Sequence, residues 1–204
     1  MSMFQGIVRQ FLFKLTRTRN QTILKLFWNY RAKDIHQTWG EDSSDYSTVE
    51  KVIEMTVPAT ILDIGCGSGR LFPVYEKMGI KKVVAQDIAA SAVRLCKERF
   101  PNLNYDYETK DILKLEYPEQ YFDLIISNRV LSAVLPERLE STLKHLSKLA
   151  RNIYLNELSD SDDTGSVSSY WFKHDYSALS TRFGFEILQQ GKISKQSWFL
   201  FGRK

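Results

Sequence analysis

The chain has 204 residues, 43% of them hydrophobic and 25% charged, which describes an ordinary soluble globular protein with a sizeable core. Its net charge of +4 is unevenly spread: residues 1–33 hold seven Lys or Arg and no acid, the rest sums to −3, and a nucleic-acid surface over the whole body is thereby excluded. Two cysteines and three histidines without metal-ligand spacing, no apolar run of ~18 residues and no signal cleavage pattern predict a reduced, intracellular, cytoplasmic protein with no metal.

Phe4, Ile7, Val8, Phe11, Leu12 and Leu15 repeat at helical steps, with Arg9, Lys14, Arg17 and Arg19 around them. Residues 1–20 are therefore predicted to form a basic amphipathic helix, which either packs on the body or lies on an anionic membrane surface. A second helix is predicted over 21–39, where Trp28, Tyr30, Arg31 and Trp39 are candidates for a lid. The Ser and Asp residues of "GEDSSDYS" are suited to capping the next helix, which Pro58 ends.

Strands and helices then alternate. Strands are predicted at 59–65, 81–88, 102–112, 121–127 and 152–158, with the third, less apolar one nearer an edge. Helices are predicted after the glycines up to Met78, over 89–100, from Pro136 to 150, and over 170–183. Strands at 185–193 and 197–202, separated by "SKQ", form a terminal hairpin. The predicted fold is α/β: a doubly wound, Rossmann-like sheet of seven strands, mostly parallel, with an antiparallel C-terminal hairpin strand and extra N-terminal helices. The expected division is a helical extension over 1–57 and a ligand-binding domain over 58–204.

The motif "ILDIGCGSGRL" ends the first strand in an acid and three alternating glycines. A phosphate loop needs four residues between its glycines and then Lys-Ser/Thr, which this lacks. A dinucleotide fingerprint needs glycine at position 70, where Arg70 stands.

"LDIGCGSG" resembles the first motif of the class I S-adenosylmethionine-dependent methyltransferases, and the resemblance covers roughly residues 58–204. It implies S-adenosylmethionine as cofactor, with Asp63, Gly65, Cys66, Gly67 and Gly69 at its site. Asp87 follows Gly69 by 18 residues, where the resemblance implies a carboxylate accepting both ribose hydroxyls, with Ile88 against the adenine. Asp111 and Ile112 match the family's acid and apolar neighbour at the adenine amino group. Ser127, Asn128 and Arg129 fall in the segment that lies near the methionine part.

Each of these residues also has a plainer reading. Asp63 and Asp87 can end strands and cap helices, Asp111 can shape a turn, and Cys66 can fill space beside backbone. His174 and Glu157 are the candidate catalytic residues, His174 as a general base although better suited to a cap or surface role, and Glu157 at the end of the fifth strand as a substrate contact. "SNRVLSAV" lacks the paired prolines of adenine-amine methylases and is similar to the small-molecule branch of the family. The expected function is methyl transfer to a small or lipid-like acceptor. The alternatives are an RNA or protein methyltransferase gripping through the basic N-terminal segment, or a non-catalytic protein that keeps the fold.

Overall fold

A computed structural model describes residues 20–39, 43–162 and 171–204. The predicted helix at 1–20, with its membrane-surface alternative, lies outside the described residues, as does most of the polar loop after residue 162. No described helix is long and apolar enough to cross a membrane.

The described elements are α1 (Gln21–Trp39), α2 (Tyr46–Thr56), β1 (Thr60–Ile64), α3 (Phe72–Lys77), β2 (Lys82–Asp87), α4 (Ala90–Arg99), β3 (Asp106–Thr109), β4 (Phe122–Asn128), α5 (Pro136–Leu149), β5 (Ala150–Glu157), α6 (Ala178–Thr181), β6 (Phe185–Ile193) and β7 (Gln196–Arg203). The seven strands form one sheet in the order β3-β2-β1-β4-β5-β7-β6. The first five are parallel, and β7 enters antiparallel between β5 and β6. The expected Rossmann-like sheet is thus present, and β3 is at its edge. The chain runs outward from β1 to β3 and returns to β4 on the other side of β1. That reversal opens a crevice at the strands' carboxyl ends, the position where open α/β sheets take ligands.

Alternation along the buried strands builds two cores. Ile61, Val83, Leu124 and Ile126 face Val52 of α2 and Tyr75 of α3 on one side. Leu62, Ile125, Ile153 and Leu155 face Leu143 and Leu146 of α5 on the other. The glycine loop closes onto the first of these cores through Gly69, at φ +79°, where an added Cβ would lie 2.8 Å from both Cys96 Sγ and a Phe100 ring carbon.

The structure departs from the sequence expectations in three places. The helix expected over 170–183 shrinks to α6, because the Asp175 carboxylate accepts from Ser177 N at 2.8 Å and from Ser177 Oγ, a local turn that delays helix entry. Before that turn the chain is extended and makes a bridge between Ser159 and His174. The strand expected over 102–112 is only β3, and Asp111 instead caps a 3-10 turn at Ile112–Lys114. The hairpin turn is two residues long, since Gln196 already pairs with Ile193.

Gly69→Ala is expected to combine left-handed backbone strain with overpacking against Cys96 and Phe100, at a cost of about 2–4 kcal/mol. Urea unfolding checks this, and an unchanged midpoint would contradict it.

Candidate functional site

The loop after β1 is held by the end of β2. Gly65 N donates to Gln86 Oε1 at 3.2 Å, Cys66 N to Gln86 O at 2.9 Å, and Gly67 N to Asp87 Oδ2 at 3.0 Å. Gln86 Nε2 also donates to Lys110 O, so one buried amide ties the loop to the end of β3. Nothing in the sequence reading singled out Gln86, because an apolar strand hides which polar residue its neighbours need. Gly67 has φ +56° and no heavy atom closer than 4.0 Å to where a Cβ would be. Its bare backbone therefore faces open space in the crevice.

The crevice holds a cavity of about 710 Å³, within the ~300–1,000 Å³ usual for small-molecule sites. Gly65, Cys66 and Gly67 line it from the loop, Asp87 and Ile88 from the end of β2, Asp111 and Ile112 from the turn after β3, and Asn128 and Arg129 from the end of β4. Asp63, Gly69 and Ser127 lie behind this wall. Cys66 and Cys96 are buried free thiols, and the hydrogen bond with Cys96, with burial behind it, pushes the Cys66 thiol well up.

The carboxylates at this edge have different employment. Asp87 accepts from Ala89 N at 2.8 Å and from Gly67 N at 3.0 Å, one bond to each oxygen, and lines the cavity. Burial raises its pKa, and the amides of Ala89, Gly67 and Ile88 oppose the rise. Asp63 is buried beside Tyr75, and burial lifts its carboxyl to about 7. Asp111 accepts from Leu113 N, from Gln21 Nε2 at 3.2 Å and from Arg138 at 2.9 Å on both oxygens. The turn-shaping and the cavity-facing readings of Asp111 therefore describe the same residue.

Both catalytic candidates have structural partners. Glu157 is fully buried. Its Oε1 accepts from Val130 N, Leu131 N and Ser127 Oγ, and its Oε2 from Ser132 N and Ser132 Oγ, at 2.6–3.0 Å. Five donors leave it no role as a proton acceptor; it anchors the loop after β4. His174 is 4% exposed, outside the cavity wall, and donates from Nε2 to Val134 O at 3.1 Å. It lies in the extended segment, not on a helix, and burial lowers its pKa, so the ring is neutral. As a general base it has no access to the cavity.

Asp45 was read only as a helix cap. It stands at the start of α2 but makes no side-chain cap bond. Its carboxylate instead takes both Arg70 amino groups, at 2.6 and 2.9 Å, and Asn128 Nδ2 at 2.5 Å. Burial alone would raise this carboxyl, but Arg70 and Asn128 hold it below the usual range.

Helix α1 lies across the crevice. Gln21 reaches Asp111, Asn29 bonds Ser91 through its side chain and carbonyl, and His36 Nδ1 is 3.1 Å from Ser68 Oγ. Of the four lid candidates, Trp28 and Arg31 line the cavity, Tyr30 is 36% exposed, and the side chain of Trp39 lies outside the described residues. Among the described residues, no three His, Cys, Asp or Glu side chains converge as a metal site requires.

The methyltransferase domain family matches residues 61–152. A ribosomal protein L11 methyltransferase of Staphylococcus saprophyticus is 32% identical over 104 residues, which is 48% of this chain and 32% of that protein. A protein of the same name from Thermosipho africanus is 29% identical over 123 residues, 58% of this chain and 46% of the relative. The chain thus spans less than half the length of these relatives. Among solved structures, magnesium protoporphyrin IX methyltransferase from Synechocystis PCC 6803, with bound S-adenosylhomocysteine, is similar at a TM-score of 0.72 and 19% identity, over 91% of this chain and 100% of that one. A 1,6-didemethyltoxoflavin-N1-methyltransferase from Burkholderia thailandensis, holding its acceptor and S-adenosylhomocysteine, is similar at 0.69 and 17%, over 89% and 87% of the two chains. At such identities the likeness is one of fold.

Two outcomes are expected from this geometry. Glu157→Gln should lose charge-assisted bonds of about 1.5–3 kcal/mol each and destabilise the protein by roughly 2–4 kcal/mol; full stability with lost turnover would instead restore it as a catalytic residue. The raised Asp63 carboxyl binds its proton more tightly in the folded chain, so its contribution is fully favourable below about pH 4 and is lost as pH rises to about 7. Asp63→Asn should remove that slope and stabilise most at about pH 8, by up to roughly 4 kcal/mol. Equal differences in urea midpoint at about pH 5 and about pH 8 would refute this.

Proposed function

We propose that the chain is a class I S-adenosylmethionine-dependent methyltransferase and that it transfers a methyl group from S-adenosylmethionine to a small-molecule acceptor. The observation that carries this reading is the pairing of Asp87 with Gly67 at the mouth of the crevice. A carboxylate that lines the cavity there suits two vicinal ribose hydroxyls. The open backbone at Gly67 suits a ligand that needs no anion nest, and a Cβ there would intrude on it.

S-adenosylmethionine supplies a methyl carbon bonded to a sulfonium. The chain's own residues then bind, orient and exclude water. Asp87 holds the sugar, Ile88 and Ile112 flank the base, and the Asn128 backbone faces the amino-acid end. Helix α1 covers the crevice, and confining two reactants at contact is itself the main source of rate in such a displacement.

A small acceptor fits a cavity whose lining includes the apolar side chains of Trp28, Val134, Leu158 and Trp171. A protein acceptor is the second reading, favoured by the similarity to L11 methyltransferases. Label from methyl-tritiated cofactor in a cell extract separates the two, since it ends in the low-molecular-weight fraction for the first and on protein for the second.

Calorimetry should detect S-adenosylhomocysteine binding and none of NADH. Asp87→Ala, folded by circular dichroism, should weaken that binding by about 2–4 kcal/mol, on the order of thirty- to a thousandfold. Unchanged affinity would remove Asp87 from the site.

A further inference from the structure

The carboxylate of Asp111 is crowded. Its Oδ1 accepts from Leu113 N at 3.0 Å and from Arg138 Nη2 at 2.9 Å. Its Oδ2 accepts from the same Nη2 at 2.9 Å and from Gln21 Nε2 at 3.2 Å. A carboxylate has about four lone-pair positions, and these contacts fill them. A further donor reaches Asp111 only by displacing one that is already there.

The contacts are not equally easy to give up. Leu113 N is fixed by the 3-10 turn that Asp111 caps. Arg138 is an ion-pair partner as well as a donor, and it holds both oxygens. Gln21 is neutral, its contact is the longest, and it comes from α1 rather than from the sheet. Asn20 caps α1, its Oδ1 accepting from Thr22 N at 2.9 Å and from Ile23 N at 3.3 Å. Gln21 is therefore the first residue of a capped helix, and its side chain crosses to a turn 90 residues further along the chain. The family match begins at residue 61, so Gln21 lies outside it.

The lining of the cavity sets which donor arrives. Asp87 at the end of β2 and Asp111 at the turn after β3 both border it, with Ile88 and Ile112 beside them. With the ribose on Asp87 and the base along the two isoleucines, the polar edge of the base comes to Asp111. The donor on that edge of adenine is its exocyclic amine.

Resting on the methyl-transfer reading and its placement of the cofactor, we propose that Gln21 and the exocyclic amine of adenine compete for Asp111 Oδ2, so that cofactor entry releases the first turn of α1. The net gain from the amine is then the new bond less the old one. Gln21 thereby sets how strongly the site prefers a base that carries the amine. The pins from Asn29 to Ser91 and from His36 to Ser68 do not involve Asp111, so the rest of α1 stays seated.

Calorimetry on the full chain compares S-adenosylhomocysteine with its 6-desamino analogue, in which hydrogen replaces the amine. The analogue leaves the Gln21 bond intact. Gln21→Ala and Gln21→Met are therefore expected to tighten S-adenosylhomocysteine binding about three- to tenfold, the range of one net hydrogen bond, with the analogue's affinity unchanged. The preference for the amine rises by the same factor. A substitution that merely loosens α1 shifts both affinities alike, so an unchanged or reduced preference would overturn the inference. Asp111→Ala, folded by circular dichroism, should erase the preference. If the preference survives there, the base does not lie at Asp111, and the inference falls with that placement. Failure of S-adenosylhomocysteine to bind the native chain would instead overturn the cofactor reading, and is measured first.

Discussion

The Asp45 carboxylate has no exposed surface, and a charge in such a place persists only when it is fully paired. The Arg70 fork supplies two charge-assisted bonds and the Asn128 amide a third. Asn156 Nδ2 approaches the same oxygen at 3.4 Å. Removing one partner from such a set costs about 3–5 kcal/mol, because the remaining charge is left buried and bare. The cluster therefore ties the start of α2 to the glycine loop and to the ends of β4 and β5. None of those segments can shift alone without uncovering a buried charge, which is how a site made of loops becomes rigid.

Glu157 does the same for the loop after β4. Its oxygens gather the successive amides of Val130, Leu131 and Ser132. Loops at the carboxyl edge of a parallel sheet present amide groups with no ladder partner, and buried amides without partners are costly. An acid at the end of a neighbouring strand satisfies several at once. The price is chemical: an acid used this way is no longer available to move a proton. Asp45, Glu157 and Asp111 are all committed to structure, and Asp87 lines the cavity while accepting from two backbone amides. Positioning is therefore well provided for by the described residues at this edge.

Helix α1 completes the enclosure from outside the sheet. Its 19 residues extend ~28 Å, enough to touch Asp111 at one end of the crevice and Ser68 at the other. Two of its polar pins, on Asp111 and Ser68, fall on residues that also border the cavity, so cover and site share those contacts.

Much of this architecture was legible in the sequence. Apolar runs bounded by Gly and Pro marked the strands, the weak apolar character of residues 102–112 put β3 at the edge, and the short hairpin signal produced the antiparallel pair. The glycine loop and the position of Asp87 after it depend on local spacing, which sequence carries directly. What only the tertiary structure decided is the use of each polar group. Asp45 and Glu157 look like a cap and a substrate contact in one dimension, because their donors lie 25 to 111 residues away or on a neighbouring loop. His174 sits in a stretch with helical residues around it, yet its backbone pairs with Leu158 and Asp160 and the Asp175 turn holds the helix off until Ala178. Local propensity sets where an element can form. Which carboxylate is saturated and which helix covers the crevice depend on partners that only folding brings within hydrogen-bond distance.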